Sequence, residues 1–560
     1  MSPSVRIVAL TLNVAFVTTA AMAQDEDLLL QETIIVEGDR SNPMFAGIEP
    51  EVSLDFVEIR SYGAASIEEL LADLEPLTNS PGGGPPAILL NGRRISGLRE
   101  IRNYPPEALA RVEILPEAVA LKFGFRANQK VTNFILRDRF HAISTRARLG
   151  GPTEGDQALG EIDVSNLRIR DDRRWNVDFE YEFQEALFES DRDIERDEGD
   201  GAADRTIQPE QHNVELSASL NDFLPHDISA TYTLGLDATS QERAIAQSDL
   251  SDTIDRDTED LNLEASFVLN RTYDDWNWTL NGTYARQDTE SETEQDLVSG
   301  FTEATDATSN NTTIEGVVFR KLFQLPAGDV VTTLKAGTVF QDLSTTSEQD
   351  GSVIDTDLSR DEWNAQANVD VPLLSRDMSG NSIGSLSLNA NARIDDVSDV
   401  GSLSTLGGGL SWKPTNDVQI IASTSTRETA PSLQTLGNPI SVTETARIFD
   451  FSTGETIENI TRITGGNPDL SSERITEHRL NLSWDLFDDP DLKFNLTYLD
   501  SDSEDAVLEF PGLTPEIERA FPERVQRAAD GTLLSVDARP INIAERKQRQ
   551  IRYGFNWSRS

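Results

Sequence analysis

The chain has 560 residues, no cysteine, and 97 acidic against 48 basic residues, for a formal net charge of −49. Phosphate backbones need clustered cations, so nucleic acid is excluded as a partner. The missing thiols remove disulfide frameworks, thiolate metal sites and cysteine nucleophiles, and so long a chain either divides into several domains or closes into one large barrel. The N-terminus places Arg6 ahead of an apolar run from Ile7, then Ala21-Met22-Ala23 before Gln24, the layout of a cleaved secretory signal over residues 1–23. Thr11, Asn13, Thr18 and Thr19 interrupt that run, which falls short of the roughly 20 residues of a spanning helix. No later segment is apolar enough to span as a helix. A membrane form of the mature chain must therefore be a closed β-barrel, because lipid offers nothing to unpaired backbone groups.

Residues 24–44 read as an acidic leader. Within it QETIIVEG supplies a β-prone run, Glu32, Thr33, Ile34, Ile35 and Val36, of the kind that adds as an extra strand to a partner's sheet edge. Residues 45–140 read as a small mixed α/β domain. Ser66 and Glu69 form a capping box opening SIEELLADL, with Ile67, Leu70, Leu71 and Leu74 on one side of a short helix. Asn91-Gly92 separates two extended runs in ILLNGRRI as a tight hairpin, PPEALA is compatible with a helix, and ARVEIL and KVTNFILRDR are strand-like.

From residue 141 to 560 the pattern is alternation. In WNVDFEYEF, Trp175, Val177, Phe179, Tyr181 and Phe183 share one face of a strand, and Asn176, Asp178, Glu180 and Glu182 the other. The same pattern returns in roughly sixteen strands along the chain, the last holding Ile551, Tyr553, Phe555 and Trp557. Short turns such as RDDRR, NDFLPHD, RTYDD, KPTND and DDPD follow the even strands. Long polar segments at 188–211, 238–260, 286–311, 343–362, 428–475 and 500–548 follow most odd ones. Sorting of connections by parity is the mark of an outer-membrane barrel with tight periplasmic turns and long external loops, and a soluble sandwich has no reason for it. The fold class expected is mainly β, a large antiparallel transmembrane barrel with a small N-terminal α/β domain, the Phe179 row facing lipid.

At these residues the chain resembles the TonB-dependent outer-membrane receptors. ILLNGRRI followed by YPPEALARVEILPEAVALKFGFRANQKVTNFILR resembles their plug domain, and TRETAPSLQTL with GGNPDLSSER resembles two barrel segments bordering a long external loop. The plug is divergent: NSPGGGPPA replaces the family's arginine-glycine strand, and Asn128-Gln129-Lys130 replaces a glycine pair. The resemblance implies that Glu32 to Val36 is the TonB box, gripped by the periplasmic energy transducer TonB, and that the protein takes up a scarce small-molecule nutrient across the outer membrane without being an enzyme. An iron complex is one such nutrient. The alternatives are a passive channel and a non-transport barrel serving adhesion or secretion. No cofactor, resident metal or catalytic residue is expected, no Walker sequence supplies energy from within, and the substrate-binding residues are not legible. Haem is disfavoured, since no histidine lies between Arg427 and Pro468. Family barrels have about 22 strands, so the chain is expected to lack about six strands at its C-terminal end.

Overall fold

The computed structural model describes residues 50–558 apart from 80–84, 117, 126–128, 172, 194–204, 247–252, 274–275, 295–302, 350, 377, 379–380, 452 and 489–490. The small domain holds β1 (Val52–Asp55), α1 (Phe56–Ser61), α2 (Ile67–Asp73), α3 (Glu75–Thr78), β2 (Ala87–Leu90), β3 (Arg93–Arg94), β4 (Leu109–Leu115), α4 (Ala118–Lys122) and β5 (Val131–Leu136). Its sheet runs β1-β4-β5-β2-β3, with β2 parallel to β5. Ser66 caps α2 by accepting from Glu69 N at 3.2 Å, whereas Glu69 Oε2 accepts from Ala65 N at 2.7 Å, one residue before the cap, so the return bond of the expected capping box is displaced by one residue. Asn91 and Gly92 take φ of 50° and 70°, as a two-residue hairpin requires. Asn91 Oδ1 then accepts from Leu136 N and Asn133 Oδ1 from Gly92 N, which pins the turn to β5. PPEALA gives a single 3-10 turn over Pro106–Ala108 instead of a longer helix, because β4 begins at the next residue. Where the resemblance leaves a glycine pair, Lys130 reaches Leu77 O and Glu51 Oε2, tying the helical part of the domain to β5.

The rest of the chain runs β6 (Arg139–Gly150), β7 (Leu159–Arg170), β8 (Arg173–Gln184), β9 (Leu187–Phe188), β10 (Thr206–Gln208), β11 (Glu210–Leu224), β12 (Ile228–Ala246), β13 (Thr253–Tyr273), β14 (Trp276–Glu294), β15 (Glu303–Leu325), β16 (Gly328–Gln349), β17 (Ser352–Leu374), β18 (Ser385–Val397), β19 (Gly401–Lys413) and β20 (Val418–Thr429). It continues with α5 (Leu433–Gly437), β21 (Ser441–Asp450), β22 (Glu455–Thr464), β23 (Glu473–Asp488), β24 (Asp491–Leu508), α6 (Pro515–Ala520), β25 (Val525–Arg527), β26 (Leu533–Asp537) and β27 (Ile541–Ser558). Sixteen of these strands form one sheet from β6 to β27, each paired antiparallel with its neighbours. Among the described residues no helix is long and apolar enough to cross a membrane. The two faces separate as the alternation requires: Val177 and Phe179 are 42% and 41% exposed, while Asn176 and Asp178 are 2% and 4%.

Three of the expected external loops are not loops. Residues 238–260, 286–311 and 343–362 lie largely in β12 to β17, which reach 19 to 23 residues each. At about 3.4 Å per residue the longest spans nearly 80 Å, against an apolar band about 25 Å tall. The apolar alternation stops at the edge of that band because beyond it both faces meet water, yet the hydrogen-bond ladder continues through Thr- and Ser-rich sequence. Two further long segments are also structured: 428–475 and 500–548 contain α5 and α6, and β21-β22-β26-β25 make a separate four-stranded sheet around Ile460, Leu513, Leu533 and Val536.

Candidate functional site

The small domain is seated against the inner row of the large sheet by charge pairs and apolar contacts. Arg94 meets Glu315 at 2.8 Å, and Lys335 pairs with the same carboxylate. Arg99 meets Glu215 at 3.2 Å, with Arg102 on that oxygen too. The third link is Arg174 to Glu100, whose side chain is fully buried. Tyr104 O–H donates to Asn176 Oδ1 at 3.2 Å, and burial pushes its phenol up to about 12. Asn270 Nδ2 and Lys335 Nζ donate to Arg94 O and Gly124 O. Wall residues enter the domain's own cores: Leu167 and Ile169 pack with Ile67, Leu70 and Phe134, and Phe319 with Leu89, Val119 and Val131. A glycine makes one contact possible, since a Cβ on Gly235 would lie 2.6 Å from Arg99 Cδ.

None of these pairs was singled out from the sequence. The available signal is the density of charge in RRISGLREIR, a segment flanked by β2 and β4 that are otherwise apolar, set against isolated acids such as Glu215 and Glu315 on inward rows. A second acidic group on the wall, Glu161, Asp163 and Glu180, has its ligand atoms within 4.8 Å of one another. Arg148 pairs with Glu161 at 3.0 Å and Arg146 lies 3.8 Å from Asp163, so cations already share it.

At the end of the long hairpins the two segments TRETAPSLQTL and GGNPDLSSER come together. Ser432 caps α5, Asn467 N donates to Thr435 O at 2.9 Å, and Gly466 N to Asn438 O at 3.0 Å. A Cβ on Gly466 would lie 2.5 Å from Leu436 O, so only glycine permits this approach. Thr345, Ser347 and Gln349 of β16 donate in turn to Gly437 O, Ile440 O and Val442 O, and Arg360 to Pro431 O. The 431–442 segment is thereby tied along the inner face of the β16 and β17 arms. Glu32, Thr33, Ile34, Ile35 and Val36 lie outside the described residues.

A barrel-like sheet with a domain seated on its inner face, and an ordered external segment above, is one arrangement found among outer-membrane transporters with plugged lumens. A family model described as TonB dependent receptor-like, beta-barrel, matches residues 191–556. The chain belongs to the TonB-dependent receptors. As members of a transport family these are receptors and not enzymes, they reside in the outer membrane of Gram-negative cells, and family membership implies TonB and a small-molecule substrate as partners. Among solved structures, the siderophore receptor PirA from Pseudomonas aeruginosa is 15% identical at a TM-score of 0.55, over 90% of this chain and 81% of that one. A mutant of the ferric enterobactin receptor PfeA from the same organism is 14% identical at 0.60, over 91% and 78%. PirA from Acinetobacter baumannii is 14% identical at 0.57, over 90% and 77%. A search by sequence among curated proteins finds no match. Identities this low establish the shared plug-and-barrel fold of the receptor and leave its substrate open.

Proposed function

We propose that this receptor carries out energised uptake of a scarce small-molecule nutrient, with force delivered by TonB through Glu32 to Val36. The observation that supports it is the plug seat: a domain linked to the wall through Glu215, Glu315 and Arg174 obstructs passive flow, and the bonds that hold it need external work to rearrange. An iron complex is the class named by the solved relatives, and it is the class to test first. On the same reading residues 1–23 are a cleaved signal, 24–44 the leader, 45–140 the plug and 141–560 the barrel, whose outward apolar row contacts outer-membrane lipid. The two edges of the large sheet, β6 and β27, have no partner strand beyond β7 and β24 among the described residues, which supports further strands between them.

Ile35→Pro tests the mechanism, since proline removes a backbone donor and fixes φ. Uptake driven by the membrane potential should be abolished while ligand binding and folding persist. Unchanged uptake in the variant, or uptake that survives collapse of the potential, would favour a passive channel. Mass spectrometry of small molecules copurifying from native membranes identifies the ligand.

A further inference from the structure

Above the apolar band the sheet still sorts side chains by face. The register sets Tyr284 opposite Ala265 and Thr312, and Phe340 opposite Thr312 and Asp361, so the lipid-facing row continues unbroken into the arms. In the arms that outer row is acidic, with Asp257, Glu259, Asp288, Glu290, Asp306 and Asp361 among its members. The inner row of β14, β15 and β16 is different. Every inward position of β14 from 287 to 293, of β15 from 305 to 313 and of β16 from 341 to 349 is Thr, Ser, Gln, Asn, Ala or Leu. In a chain of net charge −49 this is a sheltered neutral surface.

Against it lies a cleft of about 400 Å³, bounded on the other side by α5 and the residues that follow it. Gln287, Thr305, Ser309 and Leu343 line the wall, and Gln434 and Asn438 face them, with Gln434 Nε2 3.4 Å from Ser309 Oγ. The side chains of Gln287, Thr305 and Asn438 make no hydrogen bond to other described residues. The nearest charges are already paired: the Asp260 carboxylate accepts from Thr289 Oγ1, itself a lining residue, at 2.6 Å, and Arg256 donates to Glu303 at 3.3 Å.

We propose that this cleft is a substrate subsite for a neutral solute rich in hydroxyl or amide groups, an inference that rests on the receptor reading above. An anionic ligand entering it sheds hydration, meets no cation among the lining residues and faces the Asp260 carboxylate behind Thr289, which is costly. A neutral hydroxyl or amide exchanges water for Gln, Thr and Asn partners at little net cost. The volume falls within the range of small-ligand sites.

Two probes carry that chemistry from different sources, a neutral ferric trihydroxamate chelate and maltohexaose. Each has an anionic counterpart, a ferric tris-catecholate and a hexaglucuronate. Calorimetry on the purified full chain in detergent should show one neutral probe bound at least tenfold more tightly than its counterpart, and which one binds identifies the source. Thr305→Asp with Ser309→Asp should weaken that probe tenfold or more, while Asn310→Asp on the outer row leaves it unchanged. Binding of neither neutral probe, preference for an anion, or equal losses from inner and outer substitutions would overturn the proposal. An anionic probe whose uptake requires Ile35 would keep the receptor reading and remove this inference. Neutral binding at the cleft with uptake indifferent to Ile35→Pro would do the reverse.

Discussion

Phe179 and Glu180 are adjacent residues on opposite faces of β8, and they face different solvents. Phe179 stands in the exposed apolar row opposite Leu216 of β11, itself 43% exposed, and Glu180 is only partly exposed on the inward row opposite Glu215. Phe179→Arg should therefore cost roughly 2–4 kcal/mol if the residue lies at the membrane midplane, and Glu180→Arg far less. Reversible unfolding of both variants in lipid measures the difference, and equal costs would reject the assignment of faces. The alternation of WNVDFEYEF made these faces legible without a structure. What it could not reveal is that Asp178 accepts from Ser217 Oγ or that Asn176 bonds to Tyr104 of the plug, because those contacts join residues 39 and 72 positions apart.

The separate sheet of β21, β22, β25 and β26 is clamped at its β25 edge by Arg527. Arg527 donates to Asp450 at 2.6 and 3.0 Å and to Glu518 at 2.6 and 2.8 Å, joining the segment after β20 to the one after β24. The Arg527 hydrogen bond holds the Glu518 carboxyl below the usual range. A depressed carboxylate contributes stability that is fully present above its unfolded value of about 4.3 and is lost as pH falls through the folded value. A spin label on Leu534→Cys, an exposed position of β26, should be ordered at pH 7 and mobile at about pH 3, and mobile at both in Arg527→Gln. Equal order at both pH values in the parent protein would show that the pair does not hold the sheet. Sequence reading found the strands wherever one row was apolar and found the plug hairpin from Asn91-Gly92. It took the arms of β12 to β17 for loops, since a strand wetted on both faces has no apolar period. It also missed this small sheet, whose parallel pairing of Thr461–Ile463 with Ser535–Asp537 spans more than 70 residues of chain.

Across the whole molecule the sixteen-stranded sheet presents two edges. On the proposal that further strands lie between β6 and β27, a protein of these 560 residues alone should exchange amide hydrogens rapidly over Ala142–Gly150 and Ile551–Trp557 while β14 and β15 stay protected, and it should lack a heat-resistant form in gel electrophoresis. Protection of both edges would mean that the sheet closes on itself with sixteen strands. The arms add a different constraint. Their polar sequence contains little to specify register, so each inherits it from the belt below through an unbroken ladder, and a shift of one residue would turn the acids of the outer row into the lumen. Residues can then be added or removed freely at the tip of such an arm, but an insertion or deletion within it keeps the lining of the vestibule above only in steps of two residues per strand, unless a bulge absorbs the odd one.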